Sequence, residues 1–372
     1  MCKYSCRKWR KPVSKQKIKV GLWGLGRAGW GMHTGELDLF KDEFEIVAGC
    51  DIDGSRPEKL ATRYPGAKCY TDADSFLNDP EVELVSVAVR SAQHIDYAIR
   101  ALEKGKYVFL EKPVALSGAA LDKLADAMKK APGKIFFRHN RRFEAAFNHV
   151  REIIDSGILG KVYEIKLCRH NFQYREDWQA IVDCGGGQLN NWGPHLVDHA
   201  LQLLDAPLAD VWGDLKNING LGDAEDTVKM IFRGTNGRLV DVEISGAVAL
   251  PSPVYAVYGD RGSLICEDEQ DIRLRYLAPE SSRPEVKATD ATPPLDGAFG
   301  SVPSQKWIRK TIMVEPENQR TVNDIYHHLY LAIRENVPFP VTAEETFAVV
   351  RATEKIKLQN PAFRQKLDEF GK

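Results

Sequence analysis

The chain has 372 residues, with 51 Lys and Arg against 52 Asp and Glu, so its formal net charge at pH 7 is -1. This balance argues against a nucleic-acid partner or an anionic membrane surface, because affinity for polyanions comes mainly from excess positive charge. At 43% hydrophobic and 28% charged residues, the composition is typical of a globular enzyme or binding protein, and the length predicts about two domains. No run of about 18 apolar residues is present, so we expect no membrane partner.

The seven cysteines are irregularly spaced in a chain long enough to build its core without disulfides. They predict reduced thiols, a cytoplasmic location and no metal site. Residues 1–17 carry seven Lys and Arg and no acidic residue, but they lack the apolar stretch of a secretory signal. We interpret residues 1–16 as a basic N-terminal tail.

Short apolar runs alternate with helical spacing in the first third of the chain. The predicted strands are 18–23, 45–50, 82–89 and 107–110. The predicted helices are a stretch that ends near residue 40, then 57–63, 72–77 and 95–104. Strands that alternate with helices predict an α/β domain with a parallel, doubly wound Rossmann sheet over residues 17–137.

The pattern changes in the rest of the chain, residues 138–372, which we assign to a second domain with a mainly antiparallel sheet. Asn236-Gly237 separates two alternating segments and predicts a β-hairpin. The predicted strands are 162–168, 227–232, 239–244, 254–258 and 263–266, and the predicted helices are 144–156, 188–204 and 343–358. Residues 279–305 contain five prolines and predict a surface insertion.

A glycine-rich hexapeptide follows the first predicted strand and opens the next helix. It consists of Gly24, Leu25, Gly26, Arg27, Ala28 and Gly29. In dinucleotide-binding turns the first glycine permits the turn, the second lets a pyrophosphate approach the backbone, and the third lets helix and strand pack closely. Backbone N–H groups then hold the phosphates. The alternative is a turn that serves packing alone.

Asp51 ends the second predicted strand, 22 residues after Gly29. Its carboxylate can accept both hydroxyls of an adenosine ribose and would repel a 2′-phosphate, which favours NAD over NADP as the cofactor. Arg56 nearby weakens that preference. The alternative for Asp51 is turn formation and helix capping.

The tripeptide Glu111-Lys112-Pro113 lies at the carboxyl end of a predicted parallel strand, where ligands bind in such sheets. There Glu111 and Lys112 would reach a nicotinamide ribose. A lysine that is partly desolvated beside another positive charge can titrate near neutrality and act in acid–base catalysis. The alternative is a solvated surface pair.

A triple glycine, residues 185–187, opens the predicted helix 188–204 and allows close approach of another group. Asn191 and His195 are four residues apart, so on a helix they share one face. A lone histidine is more often a packing or capping residue than a catalyst. Asp198 and His199 extend the polar set, with Asp198 more suited to supporting or packing contacts.

These motifs, in this order, resemble the Gfo/Idh/MocA family of sugar and cyclitol oxidoreductases. The stretches that carry the resemblance are 20–29, 45–51, 87–112, 111–113, 140–143, 157–162, 185–195 and 340–344. It implies a Rossmann domain, a C-terminal α/β domain whose large open sheet usually forms oligomer contacts, here in a homodimer or homotetramer, and a substrate cleft between the domains. It also implies that Lys112 touches substrate and nicotinamide ribose, that His195 contacts the reacting hydroxyl, and that Val89, Arg90 and His94 belong to the cofactor site.

Two positions depart from the family pattern. Asn191 replaces a frequent aspartate, and asparagine can orient a hydroxyl but cannot take its proton, so acid–base chemistry falls on Lys112 and His195. Val89-Arg90-Ser91 replaces a more usual Thr-Pro-Asn, and Arg90 there could contact cofactor or substrate. Further candidate substrate residues, each with ordinary packing or surface exposure as the alternative, are Arg142, Tyr174, Asp177, Trp178 and Gln179.

The sequence supports three functions. The first is NAD(P)-dependent hydride transfer to or from a sugar, sugar derivative or cyclitol. The second uses NAD transiently to make a keto-sugar and then eliminates a glycosidic substituent. The third is a non-catalytic dinucleotide sensor on the same fold, which Lys112 and His195 argue against but which Asn191 leaves open.

Overall fold

The computed structural model describes residues 16–282, 305–315 and 322–364. All of the predicted basic tail except residue 16, and residues 283–304 of the predicted insertion, lie outside the described residues. Cys2 and Cys6 lie outside them as well. The cysteines within the described ranges form no disulfide; they are Cys50, Cys69, Cys168, Cys184 and Cys266.

The strands form two sheets. In chain order the strands of the first are β1 (Ile18–Trp23), β2 (Phe44–Cys50), β3 (Lys68–Tyr70), β4 (Leu84–Val87), β5 (Tyr107–Leu110) and β6 (Ile135–Phe137). Those of the second are β7 (Val162–His170), β8 (Leu208–Lys216), β9 (Thr227–Gly234), β10 (Leu239–Ser245), β11 (Tyr255–Gly259), β12 (Gly262–Cys266), β13 (Asp271–Leu277) and β14 (Trp307–Met313).

The α-helices are, in chain order, α1 (Thr34–Leu39), α2 (Ser55–Arg63), α3 (Ala73–Asn78), α4 (His94–Glu103), α5 (Gly118–Lys130), α6 (Ala145–Asp155), α7 (Gln188–Asn191), α8 (Gly193–Leu204), α9 (Asp324–Glu335) and α10 (Ala343–Gln359). The predicted single helix 188–204 is wrong in one respect: it is interrupted at Trp192. Pro194 in the first turn of α8 has no N–H to continue the hydrogen-bond ladder from α7. Asn191 and His195 therefore lie on two successive helices.

The first sheet is parallel throughout, with the order β3-β2-β1-β4-β5-β6. Its central strands β1 and β4 are buried at every position except Lys19, because helices cover both faces of a doubly wound sheet. Val85 of β4 and Val108 of β5 are fully buried. The strand order reverses at β1 and β4, and ligands bind at such a switch point. The predicted Rossmann fold is confirmed.

Two compact units divide the chain, and the first contains residues 16–140 and 323–351. The sequence-based division placed everything after residue 137 in the second domain, whereas α9 and the beginning of α10 belong to the first unit. Their apolar side chains account for this: Phe347 packs against Phe137, with ring centroids 6.2 Å apart, and Val350 is part of the same core. The chain passes to the second unit at residue 352, within α10.

The second unit contains the described residues of 141–322 together with 352–364. Its sheet has the order β14-β13-β12-β11-β7-β10-β9-β8 and is antiparallel except for the pair β7 and β10. Val240, Val242 and Ile244 are buried and alternate with partly exposed polar residues, as expected for a sheet with one covered face. The predicted mainly antiparallel sheet is confirmed, including the hairpin at Asn236-Gly237.

Side-chain amides at the end of α10 form hydrogen bonds with the backbone of the edge strand β8. Asn360 Nδ2 donates to Gly213 O at 2.9 Å, Asn360 Oδ1 accepts from Leu215 N at 3.0 Å, and Gln359 Oε1 accepts from Gly213 N at 2.8 Å. These amides take the backbone groups that an additional strand would otherwise bond. Gly213 permits this, because a Cβ there would lie 2.5 Å from Ile356 Cγ2.

Replacing Asn360 with Ala should lower the free energy of unfolding by about 1 to 3 kcal/mol, because strand backbone groups lose their partners. Urea unfolding of the full chain measures the change. The exposed residue Lys355 on α10 offers the control Lys355→Ala, for which we expect a change within about 0.5 kcal/mol. Equal stabilities of the two variants would contradict a role for the amide in closing the edge.

Searched over the described ranges, the structure contains no helix with the length and apolar character needed to cross a membrane.

Candidate active site

The turn after β1 is built on its three glycines. Gly24 has φ +91°, and a Cβ there would lie 2.7 Å from Ala88 O. A Cβ on Gly29 would lie 1.9 Å from Gly24 O, so helix and turn touch through backbone atoms. Next to Gly26, in contrast, an added Cβ would meet no atom within 4 Å. The turn therefore leaves open space beside its second glycine, where a bound pyrophosphate needs it.

Asp51 is buried and fixed against this turn. Its Oδ2 accepts from Leu25 N at 2.7 Å, and its Oδ1 accepts from Asp53 N at 3.0 Å. Arg56 Nη1 lies 3.2 Å from Asp51 Oδ2, and Arg56 Nε lies 3.3 Å from Asp53 Oδ2. The structure thus brings together Asp51 and Arg56, the two residues with opposite preferences for a 2′-phosphate.

Glu111, at the end of β5, is buried in an ionic network of the first unit. Arg138 Nη1 donates to Glu111 Oε1 at 2.8 Å, and His33 Nε2 lies 3.0 Å from the same oxygen. Glu111 Oε2 accepts from the backbone N–H of Lys112 at 3.0 Å. Arg138, itself fully buried, also pairs with Glu36 at 2.6 Å. Both carboxylate oxygens of Glu111 are therefore engaged inside the unit.

The environment of Glu111 determines its charge. Burial by itself would raise the pKa of this carboxyl, but the positive charge of Arg138 and the hydrogen bond from His33 outweigh burial and hold the pKa well below its ordinary value. Glu111 is consequently a permanent carboxylate. Through the bond to Lys112 N it fixes the backbone that carries the candidate catalytic lysine.

His33, Arg138 and Tyr326 were not among the residues selected from the sequence. His33 Nδ1 lies 3.0 Å from Ser86 Oγ and also contacts the Tyr326 hydroxyl. With Ser86 they come from four separate stretches of the chain and share no spacing, so only the fold brings them together. The available signal was that Arg138 directly follows the apolar run Ile135-Phe136-Phe137.

His94 connects two loops at the same edge of the first sheet. Its Nδ1 lies 2.7 Å from Pro113 O and its Nε2 lies 3.1 Å from Val89 O. Complete burial lowers the pKa of His94, although the hydrogen bond to the Pro113 carbonyl acts to raise it. His94 therefore positions the segments that carry Val89 and Lys112, while Arg90 is exposed.

In the second unit, the glycine triplet makes room for an acidic side chain. Gly187 has φ +98°, and a Cβ there would lie 2.2 Å from Glu225 Oε1. Glu225 Oε1 accepts from Leu189 N at 3.0 Å, and its backbone oxygen accepts from Gln188 N at 3.0 Å. The close approach expected at the triplet is thus made by Glu225, which the sequence analysis did not select.

A small pocket lies beside α7, wholly within the second unit. It offers about 420 Å³ not filled by protein atoms, including the part open to solvent. Of the predicted substrate residues, Asn191 and Gln179 line it, as do Arg175 and Glu225. Asp177 does not line it but pairs with Arg175, whose Nε donates to Asp177 Oδ1 at 2.7 Å. Amide, guanidinium and carboxyl groups lie in its wall, although most of its accessible surface is apolar.

The other predicted residues of this unit lie elsewhere. Arg142 is buried and bound in a bidentate pair with Asp198, with N–O distances of 2.7 and 2.6 Å. His195 is buried and its ring meets that of Trp192 edge to face, with centroids 6.0 Å apart. Tyr174 is 57% exposed, and Trp178 is half-buried. The pocket beside α7 is not lined by Arg142, Tyr174, Trp178 or His195.

Cys168, His170 and Glu243 form a cluster of potential metal ligands on β7 and β10, with ligand atoms within 4.8 Å of one another. The cluster already contains a cation, because Lys229 Nζ pairs with Glu243 and lies 2.6 Å from Asp241 Oδ1. Burial also raises the pKa of the Cys168 thiol to about 11. We assign no metal to it.

Two family models match the chain. One, described as an oxidoreductase family with an NAD-binding Rossmann fold, matches residues 18–139. The other, described as the GFO/IDH/MocA C-terminal domain, matches residues 147–265. The chain therefore belongs to the Gfo/Idh/MocA family of oxidoreductases, and the resemblance drawn from its motifs is confirmed. It is an oxidoreductase whose first domain has the NAD-binding Rossmann fold.

Relatives of established name extend over most of the chain. A scyllo-inositol 2-dehydrogenase (NADP(+)) of Bacillus subtilis is 26% identical over 343 residues, 91% of this chain and 92% of the relative. An inositol 2-dehydrogenase of Acidothermus cellulolyticus is 28% identical over 277 residues, 73% of this chain and 79% of the relative.

Solved structures support the fold. An NAD-binding protein from Listeria innocua has a TM-score of 0.76 at 23% identity, covering 94% of this chain and 96% of its own. An oxidoreductase from Thermotoga maritima has a TM-score of 0.75 at 18% identity, covering 92% of this chain and 96% of its own.

Replacing Glu111 with Gln should lower the free energy of unfolding at neutral pH by about 3 kcal/mol, because Arg138 loses a buried charge partner. Since the folded-state pKa of Glu111 lies below the ordinary 4.5, its ionised form stabilises the fold above pH 4.5. This contribution is lost as the pH falls below that value.

Urea unfolding of both proteins at about pH 7 and about pH 4 measures the effect, with Glu58→Gln at an exposed site as the control. The wild type should lose more stability than Glu111→Gln between the two pH values. The same loss in both proteins would contradict the account.

Proposed function

We propose that the chain catalyses NAD(P)-dependent oxidation of a cyclitol or sugar hydroxyl and the reverse reduction. The observation that carries the proposal is the position of Lys112, at the carboxyl end of β5, with its backbone N–H held by a permanently ionised Glu111. The inositol dehydrogenases among the relatives support a polyol substrate. The pocket that contains Asn191 and Gln179 supports it further, because its groups donate to and accept from hydroxyls.

The open turn at Gly26 and the carboxylate of Asp51 are the groups that would hold the dinucleotide, through its pyrophosphate and its adenosine ribose. When bound, the nicotinamide ring accepts or supplies the hydride. We assign Val89, Arg90 and the segments held by His94 to the same cofactor site.

Oxidation of an alcohol requires that the hydroxyl lose its proton as the hydride departs. We assign that proton to Lys112 or His195, and we assign stabilisation of the developing alkoxide to the other residue. Asn191 orients a hydroxyl through its amide and takes no proton. Arg142, Tyr174, Asp177 and Trp178 remain candidates for contacts with more remote parts of the substrate.

NAD is the preferred cofactor in this proposal, because the carboxylate of Asp51 repels a 2′-phosphate. The NADP(+)-dependent relative from Bacillus subtilis makes this preference a direct subject for experiment. We also propose that the protein forms a homodimer or homotetramer through the C-terminal sheet.

NADH absorbance recorded with NAD and a panel of inositols, sugars and glycosides tests the function. Accumulation of NADH with an inositol or sugar supports it. Cleavage of a glycoside without net NADH would instead identify the eliminating enzyme, and tight NAD binding with neither reaction would contradict the proposal.

Replacing Lys112 with Met should reduce kcat by about 100-fold or more, the usual contribution of a positioned acid–base group, while leaving NAD affinity within about twofold. Steady-state kinetics and NADH fluorescence titration measure the two effects. The exposed Lys123 of α5 provides the control Lys123→Met, expected to match the wild type. Unchanged turnover in Lys112→Met would remove this lysine from the mechanism.

Replacing Asp51 with Asn should make NADP a better cofactor relative to NAD. The kcat/KM with NAD divided by the kcat/KM with NADP should fall about tenfold, or ~1.4 kcal/mol. The amide oxygen can still accept from Leu25 N, so the turn is retained while the negative charge is lost. Asp53→Asn removes the other carboxylate bound to Arg56 and is the control. An equal shift in both variants would contradict a specific role for Asp51.

A further inference from the structure

Glu225 is a buried acid in the wall of the pocket beside α7. Only 4% of its surface is exposed, yet it lines the pocket together with Asn191 and Arg175. It lies two residues before Thr227, where β9 begins. The bond from Leu189 N to Glu225 Oε1 fixes the direction of the carboxyl group.

Two features of the surrounding chain accommodate this acid. The absent side chain at Gly187 leaves the space that the carboxyl occupies, since any Cβ would overlap it. Lys357 of α10 lies in the same unit, is 7% exposed, and its Nζ has no hydrogen-bond partner among the described residues. An uncompensated buried ammonium is costly, and the carboxyl of Glu225 is the charge that favours it most.

The charges that act on Glu225 include those of Lys357 on α10 and Asp226 before β9. Glu354 of α10 acts in turn on Lys357, and Arg175 lines the same pocket as Glu225. Burial raises the pKa of Glu225 to about 7, against the opposing effects of the Leu189 N–H and Lys357. Burial lowers the pKa of Lys357 to about 8, against the attraction of Glu225. Burial thus moves the pKa of each group towards neutrality.

We infer that the Glu225 carboxylate is a hydroxyl-binding group of the substrate pocket and that polyol binds to the form of the protein in which Glu225 is ionised. The inference rests on the proposed polyol substrate. A carboxylate accepts hydrogen bonds from alcohol hydroxyls more strongly than an amide does, so Glu225 supplies the charged acceptor that Asn191 lacks. Affinity for polyol therefore rises as the pH rises through the titration of Glu225.

Binding of myo-inositol and of scyllo-inositol to the full-length protein, in the presence of NADH, tests the inference by isothermal titration calorimetry at about pH 6 and about pH 8. At least one of these probes should bind the wild type about tenfold more tightly at the higher pH. Glu225→Gln keeps an oxygen for Leu189 N; it should bind about tenfold more weakly at the higher pH and lose most of the pH dependence.

Lys357→Met removes the positive charge that favours ionised Glu225, so the rise in affinity should shift to higher pH. The matched control is Asp223→Asn, two residues from Glu225, whose carboxylate accepts from Val182 N at 2.8 Å and does not line the pocket. This control should behave as the wild type. Thermal unfolding of each variant verifies that the fold is retained.

Wild-type affinity that does not vary with pH, or a Glu225→Gln variant that binds as the wild type does, would overturn the inference. Absence of binding by both probes would overturn it as well. Binding that follows the predicted pH dependence without any NADH formation from NAD would instead overturn the proposed dehydrogenase reaction and leave the hydroxyl-binding role of Glu225 intact.

Discussion

The functional edge of the first unit depends on the buried pair formed by Glu111 and Arg138. Neither charge would be stable alone in that interior, since an isolated buried charge costs several kcal/mol. Together with His33, Arg138 keeps Glu111 ionised, and Glu111 in turn holds the backbone N–H of Lys112. The backbone position of Lys112, to which we assign acid–base chemistry, thus depends on a buried charge network.

The second unit also contains a buried carboxyl group, that of Glu225. Glu225 is seated against Gly187, which has no side chain to exclude it, and it caps the beginning of α7 through Leu189 N. The positive charge of buried Lys357 acts on Glu225, and Lys357 Nζ has no hydrogen-bond partner among the residues that the structure describes. Arg138 and His33 hold the pKa of Glu111 well below its ordinary value, whereas burial raises the pKa of Glu225.

Much of this organisation could be predicted from the sequence. The strand–glycine turn–helix pattern and Asp51 located the Rossmann unit, and Asn236-Gly237 located the hairpin of the second sheet, because both signals are local. The networks around Glu111 and Glu225 could not be predicted, since Arg138, Glu225 and Lys357 carry no spacing signal and meet only through tertiary packing. The break at Pro194 was a local signal that the helical periodicity of residues 188–204 obscured. The roles assigned to Lys112 and His195 remain predictions.

The central claim is that this protein transfers a hydride between a polyol carbon and nicotinamide. Incubation with NAD and an inositol carrying deuterium on its ring carbons tests it most directly, with the recovered NADH analysed by mass spectrometry. The account predicts one deuterium per NADH formed, located on the nicotinamide ring. NADH without deuterium, or conversion of the inositol with no labelled cofactor at any time, would contradict it.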